Sequence, residues 1–303
     1  MLVIPDKVAQ VAVRDHGAAG RAWLAALPLL VERLADAWSL RLDTPLHGGW
    51  VALVYAVTRE QDGSEAVLKL SIVDEETRGE AAALRHWDGR GAVRLLDDEP
   101  AHGALLLERI RPGTSLLHHP DLDEACSIAC GVLRRVWGPP PVDHELPLAT
   151  DLAARWAEQL VSEFGAHGRP FADTLLDEAV ALCRELAQDP SDVVVANRDL
   201  HRGNVLAAER EPWLLIDPKP LVGERAFDTA HLLRDLLPAE PQAGDVSRLV
   251  ARLADELALE PQRIRAWTFV RTIENALWSI RAGEPSARDI AIAEQLAMSG
   301  APD

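Results

Sequence analysis

The sequence predicts an α+β chain in two parts, a smaller strand-rich N-terminal region followed by a larger helical one. Three observations carry that expectation. Residues 50–107 hold short β-branched and aromatic runs separated by turn signals. From about residue 121 onward, long segments repeat apolar residues at intervals of three and four. Between them lies RPGTS (111–115), a break rich in turn residues. The division therefore falls near 108–115, giving residues 1–110 and 111–303.

Each element has its own signal. Trp23, Leu24, Leu27, Leu30, Leu34 and Trp38 line one face of a helix over 21–38. PLHGGWVALVYAV then turns at Gly48 and Gly49 into a strand. QDGS (61–64) separates it from a second strand, EAVLKLSIV (65–73), so 50–73 reads as a β-hairpin. EETRGEAAALRHWDG (75–89) is rich in Ala and Glu and ends at Gly89, which predicts a helix. AVRLLDD and GALLLERI read as two further strands around a turn at Glu99–Gly103. Helices are expected over 121–137, 151–165 and 172–188. Short apolar runs (VVVA, NVLAA, WLLID) separated by polar turns fill 193–217, and helical patterning resumes from 226 to about 298.

A chain of 303 residues with 48% hydrophobic content can bury a sizeable core. No apolar run approaches the roughly 18 residues of a membrane span, and the first residues lack the pattern of a signal peptide. Three cysteines without a CxxC pair fit reduced thiols in the cytoplasm. The net charge of −17 disfavours nucleic acid and anionic membranes as partners and favours a cationic small molecule.

The chemistry concentrates in VANRDLHRGNVL (195–206). Asp199 and Asn204 lie in a loop between apolar runs, and Asp217 ends the run WLLID. The intervening NVLAAEREPWLLID reads as a tight hairpin with EREP as its turn, which would make Asn204 and Asp217 neighbours with Asp199 close by. A hard cation such as Mg²⁺ can take one carboxylate and one amide oxygen and complete its shell with nucleotide phosphates. A second carboxylate kept off the metal can accept the proton of an attacking hydroxyl. That set suits phosphoryl transfer: Asp199 as base, Asn204 and Asp217 as metal ligands. Lys69, inside the apolar strand AVLKLSIV, is the candidate cation for phosphate, and Glu80 is the carboxylate best placed to hold it. Gly48 and Gly49 would let backbone N–H groups approach phosphate.

NRDLHRGN resembles the catalytic loop of the protein-kinase-like fold, whose signature places an Asn five residues after the catalytic Asp. WLLIDPKPLVGERAFDTAHLL, DGSEAVLKL, GAVRLL and ALLLERIRPGTSL resemble the aminoglycoside phosphotransferase family, in the branch of streptomycin 6-phosphotransferase and hydroxyurea phosphotransferase, over about residues 45–280. The resemblance implies a two-lobed fold, with a five-stranded antiparallel N-lobe and a mainly helical C-lobe. It implies ATP and Mg²⁺ as cofactors, Lys69 on the α/β-phosphates, and a hinge at Glu108–Ile110 whose backbone reads adenine. It also implies a hydroxyl on an aminoglycoside-like acceptor; a metabolic amino sugar and hydroxyurea are alternatives within the same chemistry. A nucleotide-binding scaffold is the alternative of another class. Two departures stand out. Asn197 occupies the place of the usual loop His, and HGGWVALV replaces a G-x-G-x-x-G loop. Asp228, in RAFDTA, reads as a cap or a brace for the catalytic loop. It is also set with Glu274 and Trp278 as a candidate acceptor-side residue, although the stripe of Trp267, Asn275 and Trp278 suits core packing better. His201 reads as structural.

Overall fold

The protein is described by a computed structural model covering residues 2–46, 52–188, 192–242 and 244–298. The chain divides into two compact units. The first comprises Met1–Gly113 with Ala208–Arg210, and the second comprises Thr114–Ala207 with Glu211–Asp303. Among the described residues no helix is long and apolar enough to cross a membrane.

The first unit opens with α1 (Asp6–Trp38), longer than the periodicity suggests, because a second apolar set, Val8, Val11 and Ala12, precedes Gly17. Gly17 (φ 54, ψ −116) breaks the helix between the two sets. A sheet follows, formed by β1 (Leu40–Pro45), β2 (Ala52–Arg59), β3 (Glu65–Ser71), β4 (Leu95–Glu99) and β5 (Ala104–Glu108). The strand order is β1-β2-β3-β5-β4, and every pairing is antiparallel. Strand alternation sorts the two faces. Leu53, Tyr55, Val57, Ala66, Leu68, Leu70, Ala104 and Leu106 pack with Leu27, Leu30, Val31 and Leu34 of α1 in one core. Lys69 lies between Leu68 and Leu70 and so projects from the opposite face, toward α2 (Glu80–Trp87). That helix starts five residues later than its composition suggests. The Asp74 carboxylate accepts from the N–H groups of Glu76 and Thr77, and this local turn outcompetes the helix. Strand β1 supplies the fifth strand that the resemblance implies but that no sequence pattern located; only Leu40 is buried in it, so its sequence carries little alternation.

After β6 (Pro112–Ser115), the second unit contains α3 (Leu122–Val136), α4 (Ala149–Ala166) and α5 (Asp173–Leu186), close to the predicted bounds. Next come β7 (Val193–Asn197), β8 (Val205–Ala208), β9 (Trp213–Leu215) and β10 (Pro220–Glu224). Strands β8 and β9 form the expected hairpin, with Val205 opposite Leu215. Strand β10 was not expected, since it begins with Pro and contains Gly, both poor strand formers. It pairs antiparallel with β7, with Pro220 opposite Asn197. A Cβ at Gly223 would lie 2.6 Å from the Ala149 side chain, so only glycine lets this strand approach the start of α4. The chain ends with α6 (Thr229–Leu236), α7 (Asp245–Leu257), α8 (Pro261–Ala282) and α9 (Ala287–Met298). Helix α8 buries Ile264, Trp267, Phe269, Val270, Ile273 and Leu277 around its circumference, as a helix packed on several sides must. This is the core on which the polar loops of the unit rest.

Candidate active site

Strand β7 delivers the chain into the loop at 197–204, and its backbone is fixed at several points. Asn197 is 1% exposed. Its Oδ1 accepts from the N–H of Lys219 at 2.8 Å and from the N–H of Asp199 at 3.2 Å. One side chain thus ties the loop to the segment just past Asp217. The Asn197 N–H donates to Asp228 Oδ1 at 2.6 Å, and Trp137 Nε1 donates to Asp228 Oδ2 at 2.7 Å. The Arg198 N–H donates to the Lys219 carbonyl at 2.9 Å. Arg202 donates to Asp235 Oδ2 through its backbone N–H at 2.9 Å and its Nε at 2.8 Å. Gly203 N–H donates to His201 Nδ1 at 3.0 Å, and a Cβ at Gly203 would lie 2.6 Å from that ring.

The hairpin brings the two ends of NVLAAEREPWLLID together as its length requires. The Ile216 N–H donates to the Asn204 carbonyl at 2.8 Å, which places Asp217 one residue beyond the contact. Asn204 Nδ2 donates to the Asp199 carbonyl at 3.1 Å, so its amide nitrogen is fixed toward the loop. Among the described residues its Oδ1 accepts nothing, which leaves an oxygen ligand. Asp217 adopts a left-handed backbone (φ 51), a conformation Asp tolerates better than most side chains. Lys219, buried, holds its Nζ 3.4 Å from Asp217 Oδ1. Among the described residues no three His, Cys, Asp or Glu side chains gather at one metal point. A cation at Asp217 and Asn204 would therefore complete its shell with phosphate oxygens and water, the habit of Mg²⁺. The donor set fits that ion.

Asp199 is partly exposed and faces His231 of α6, whose Nδ1 lies 3.1 Å from Asp199 Oδ1. The ring is not aligned for a hydrogen bond, so the contact is electrostatic. Burial pushes the Asp199 carboxyl up, as does the like charge of Asp217, but the contact with His231 outweighs them and holds it below the usual carboxylate value. A lowered value keeps Asp199 ionised and able to accept a proton at neutral pH. Burial pushes the His201 imidazole down against the pull of Asp199. Its Nδ1 already accepts the Gly203 N–H, which requires the neutral ring. Burial raises the Asp228 carboxyl to about 7 against the two N–H donors it receives.

In the first unit, Lys69 Nζ lies 2.6 and 2.7 Å from the two Glu80 oxygens, and both side chains are buried. The Glu108 carboxylate accepts from Arg94 N–H at 2.9 Å and from Arg210 Nη2 at 2.6 Å. The Glu108 N–H donates to the Arg94 carbonyl at 3.0 Å, so that N–H is closed to a ligand. Ile110 is buried. Gly48 and Gly49 lie outside the described residues.

The acceptor-side expectations divide. Asp228 is corrected: at 1% exposure, with both oxygens engaged by Asn197 and Trp137, it braces the loop and has no face to offer an acceptor. Trp267 is core, stacked edge-on against Phe227 at 4.9 Å. Glu274 and Trp278 are partly exposed on α8. Glu274 lies 3.7 Å from Arg271, whose Nη2 donates to the Arg198 carbonyl at 3.3 Å, so this part of α8 adjoins the loop. The sequence did not single out His231, Asp235 or Lys219. His231 and Asp235 stand four residues apart, one turn of α6, and that spacing was their only signal.

A strand pairing of this order in one unit, with the Asp199 loop and the β8–β9 hairpin following in the chain, defines a kinase-like fold. An aminoglycoside phosphotransferase, APH(4)-Ia, in ternary complex with ADP and hygromycin B, superposes with a TM-score of 0.61 at 16% identity, covering 90% of this chain and 99% of its own. The family described as aminoglycoside/hydroxyurea antibiotic resistance kinase matches residues 37–283. A streptomycin 6-kinase of Streptomyces glaucescens is 38% identical, over 99% of this chain and 98% of its own. A hydroxyurea phosphotransferase of Kitasatospora aureofaciens is 41% identical, over 97% of this chain and 85% of its own. The chain belongs to the aminoglycoside/hydroxyurea antibiotic resistance kinase family, and it is a phosphotransferase.

Proposed function

We propose that the protein transfers the γ-phosphoryl group of ATP to a hydroxyl of a streptomycin-like aminoglycoside, with Mg²⁺ held by Asn204 and Asp217. The observation that carries the chemistry is the hairpin that sets Asn204 beside Ile216–Asp217, with the Asn204 amide also tied to the Asp199 main chain. Asp199 accepts the proton of the acceptor hydroxyl as its oxygen bonds to phosphorus and the bond to the β-phosphate oxygen breaks, releasing ADP. Mg²⁺, when bound, neutralises phosphate charge. Lys69 supplies a cation to the α/β-phosphates, oriented by Glu80. Lys219, two residues past Asp217, adds a buried positive charge on the same segment. Catalysis of this kind rests on positioning and charge, and the loop's dense backbone tethering supports it. The net charge of −17 favours a cationic acceptor and a site of action in the cytoplasm fits the supply of ATP.

Identity to streptomycin 6-kinases supports the aminoglycoside, and the hydroxyurea phosphotransferase supports a second reading. Acceptor-dependent ADP release with streptomycin, other aminoglycosides and hydroxyurea decides between them. Streptomycin is expected to give the highest kcat/KM. Turnover with hydroxyurea alone would replace the first reading by the second, and loss of turnover on chelation of Mg²⁺ is expected with either.

A further inference from the structure

We infer that His231 is a positioning residue for Asp199: it fixes one carboxylate oxygen and leaves the other to the acceptor hydroxyl. The inference rests on Asp199 being the base. Nδ1 of His231 lies 3.1 Å from Asp199 Oδ1. Two lone pairs at that distance would repel, so Nδ1 presents its hydrogen and attracts Oδ1 electrostatically, short of an aligned hydrogen bond. Among the described residues no donor reaches Asp199 Oδ2, so the carboxylate is held on one side and open on the other. Among the described residues the Asp199 carboxylate has no other side-chain partner. Its backbone N–H and carbonyl engage Asn197 and Asn204, which set the main chain but not the carboxylate rotation.

The surroundings give His231 a fixed orientation. Its ring lies 5.3 Å from that of His201 at 35°. His201 is neutral, because its Nδ1 accepts the Gly203 N–H. It therefore packs against His231 as an uncharged ring. One turn further along α6, Asp235 receives both the backbone N–H and the Nε of Arg202. Helix α6 thus touches the loop twice on one face, at Asp199 and at Arg202. Its start is tied in by Asp228, which holds the Asn197 N–H and Trp137. A helix held at both places can set a side-chain rotation to the accuracy that proton transfer requires.

The test compares His231→Leu, His231→Asn and Asp199→Asn, singly and combined, with kcat and KM for ATP and acceptor and with Tm. The Asn amide can place an N–H near the position of Nδ1. His231→Leu is expected to lower kcat about 10- to 100-fold with KM for ATP within about twofold. His231→Asn is expected to recover about tenfold of that loss, and His231→Leu is expected to add nothing to Asp199→Asn. Equal kcat losses in the Leu and Asn variants with lowered Tm would make His231 a packing residue and overturn the inference. So would wild-type kcat in His231→Leu alongside an inactive Asp199→Asn, which leaves the base assignment standing. Full turnover in Asp199→Asn overturns the base assignment and this inference with it.

Discussion

Two charged sites in this chain are built in opposite ways. Lys69 and Glu80 form a closed pair between a strand and a helix, both buried and each answering the other with two short contacts. Asp199, Asn204 and Asp217 sit on loop backbone, the two carboxylates partly exposed and Asn204 buried, and are set in place largely by main-chain donors and by bracing residues around them. The first arrangement gains its rigidity from regular structure and its stability from pairing. The second leaves oxygens such as Asp199 Oδ2 and Asn204 Oδ1 open among the described residues and owes its rigidity to surroundings such as Asn197, Asp228 and Asp235, which take up the backbone's hydrogen bonds. Charge that must hold still can be paired within the fold, whereas charge that must react has to be held through its surroundings.

Removing one partner should therefore cost stability at the first site and activity at the second. Glu80→Gln leaves a buried ammonium without its carboxylate, and urea denaturation should show a loss of about 3–5 kcal/mol. Asp199→Asn should leave the urea midpoint within about 0.5 kcal/mol and lower kcat by about 10²–10⁴-fold; a large stability loss there would erase the contrast.

The bracing residues fall between these limits. Asp228 sharpens the comparison through pH. Its folded carboxyl value near 7 exceeds the ordinary 3.8. The folded state then holds the proton over the window from about 4 to 7 while the unfolded state has released it. This group's contribution is full below about pH 4 and is lost as pH rises toward 7, by at most about 4 kcal/mol. Denaturation of wild type and Asp228→Asn at pH 5 and pH 7.5 should show the decline in the wild type alone. Smallest, Asn197→Ala removes an acceptor shared by two N–H groups, and should cost about 1–3 kcal/mol of stability with a measurable fall in kcat. If kcat stays unchanged, the tie between the loop and Lys219 is not what positions Asp199.

Much of this was legible in the sequence, for physical reasons that differ by residue. Asn204 and Asp217 could be read together because a hairpin of known length fixes the distance between its ends. Lys69 could be read because a lysine inside an apolar strand needs an explanation. Asn197 could not, since its function is to accept from two backbone N–H groups separated by twenty residues, and nothing local encodes that. His231 and Asp235 were hidden because a helix face shows what is buried but not what it meets. Asp228 could be read as a brace from its place in RAFDTA, but the burial that removes it from an acceptor does not appear in a motif. Strand β10 and the late start of α2 were missed where pairing with β7 and the Asp74 turn overrode local composition.

The left-handed backbone of Asp217 (φ 51) sets two demands on one position against each other. Glycine adopts that conformation without strain, so Asp217→Gly should hold or slightly raise the melting temperature. It would also delete the proposed metal ligand. Laboratory selection for heat resistance alone would therefore be drawn toward glycine here and yield sturdier, inert variants. Selection by drug survival would keep the carboxylate and its backbone strain, so the residue recovered at 217 would reveal which pressure had acted.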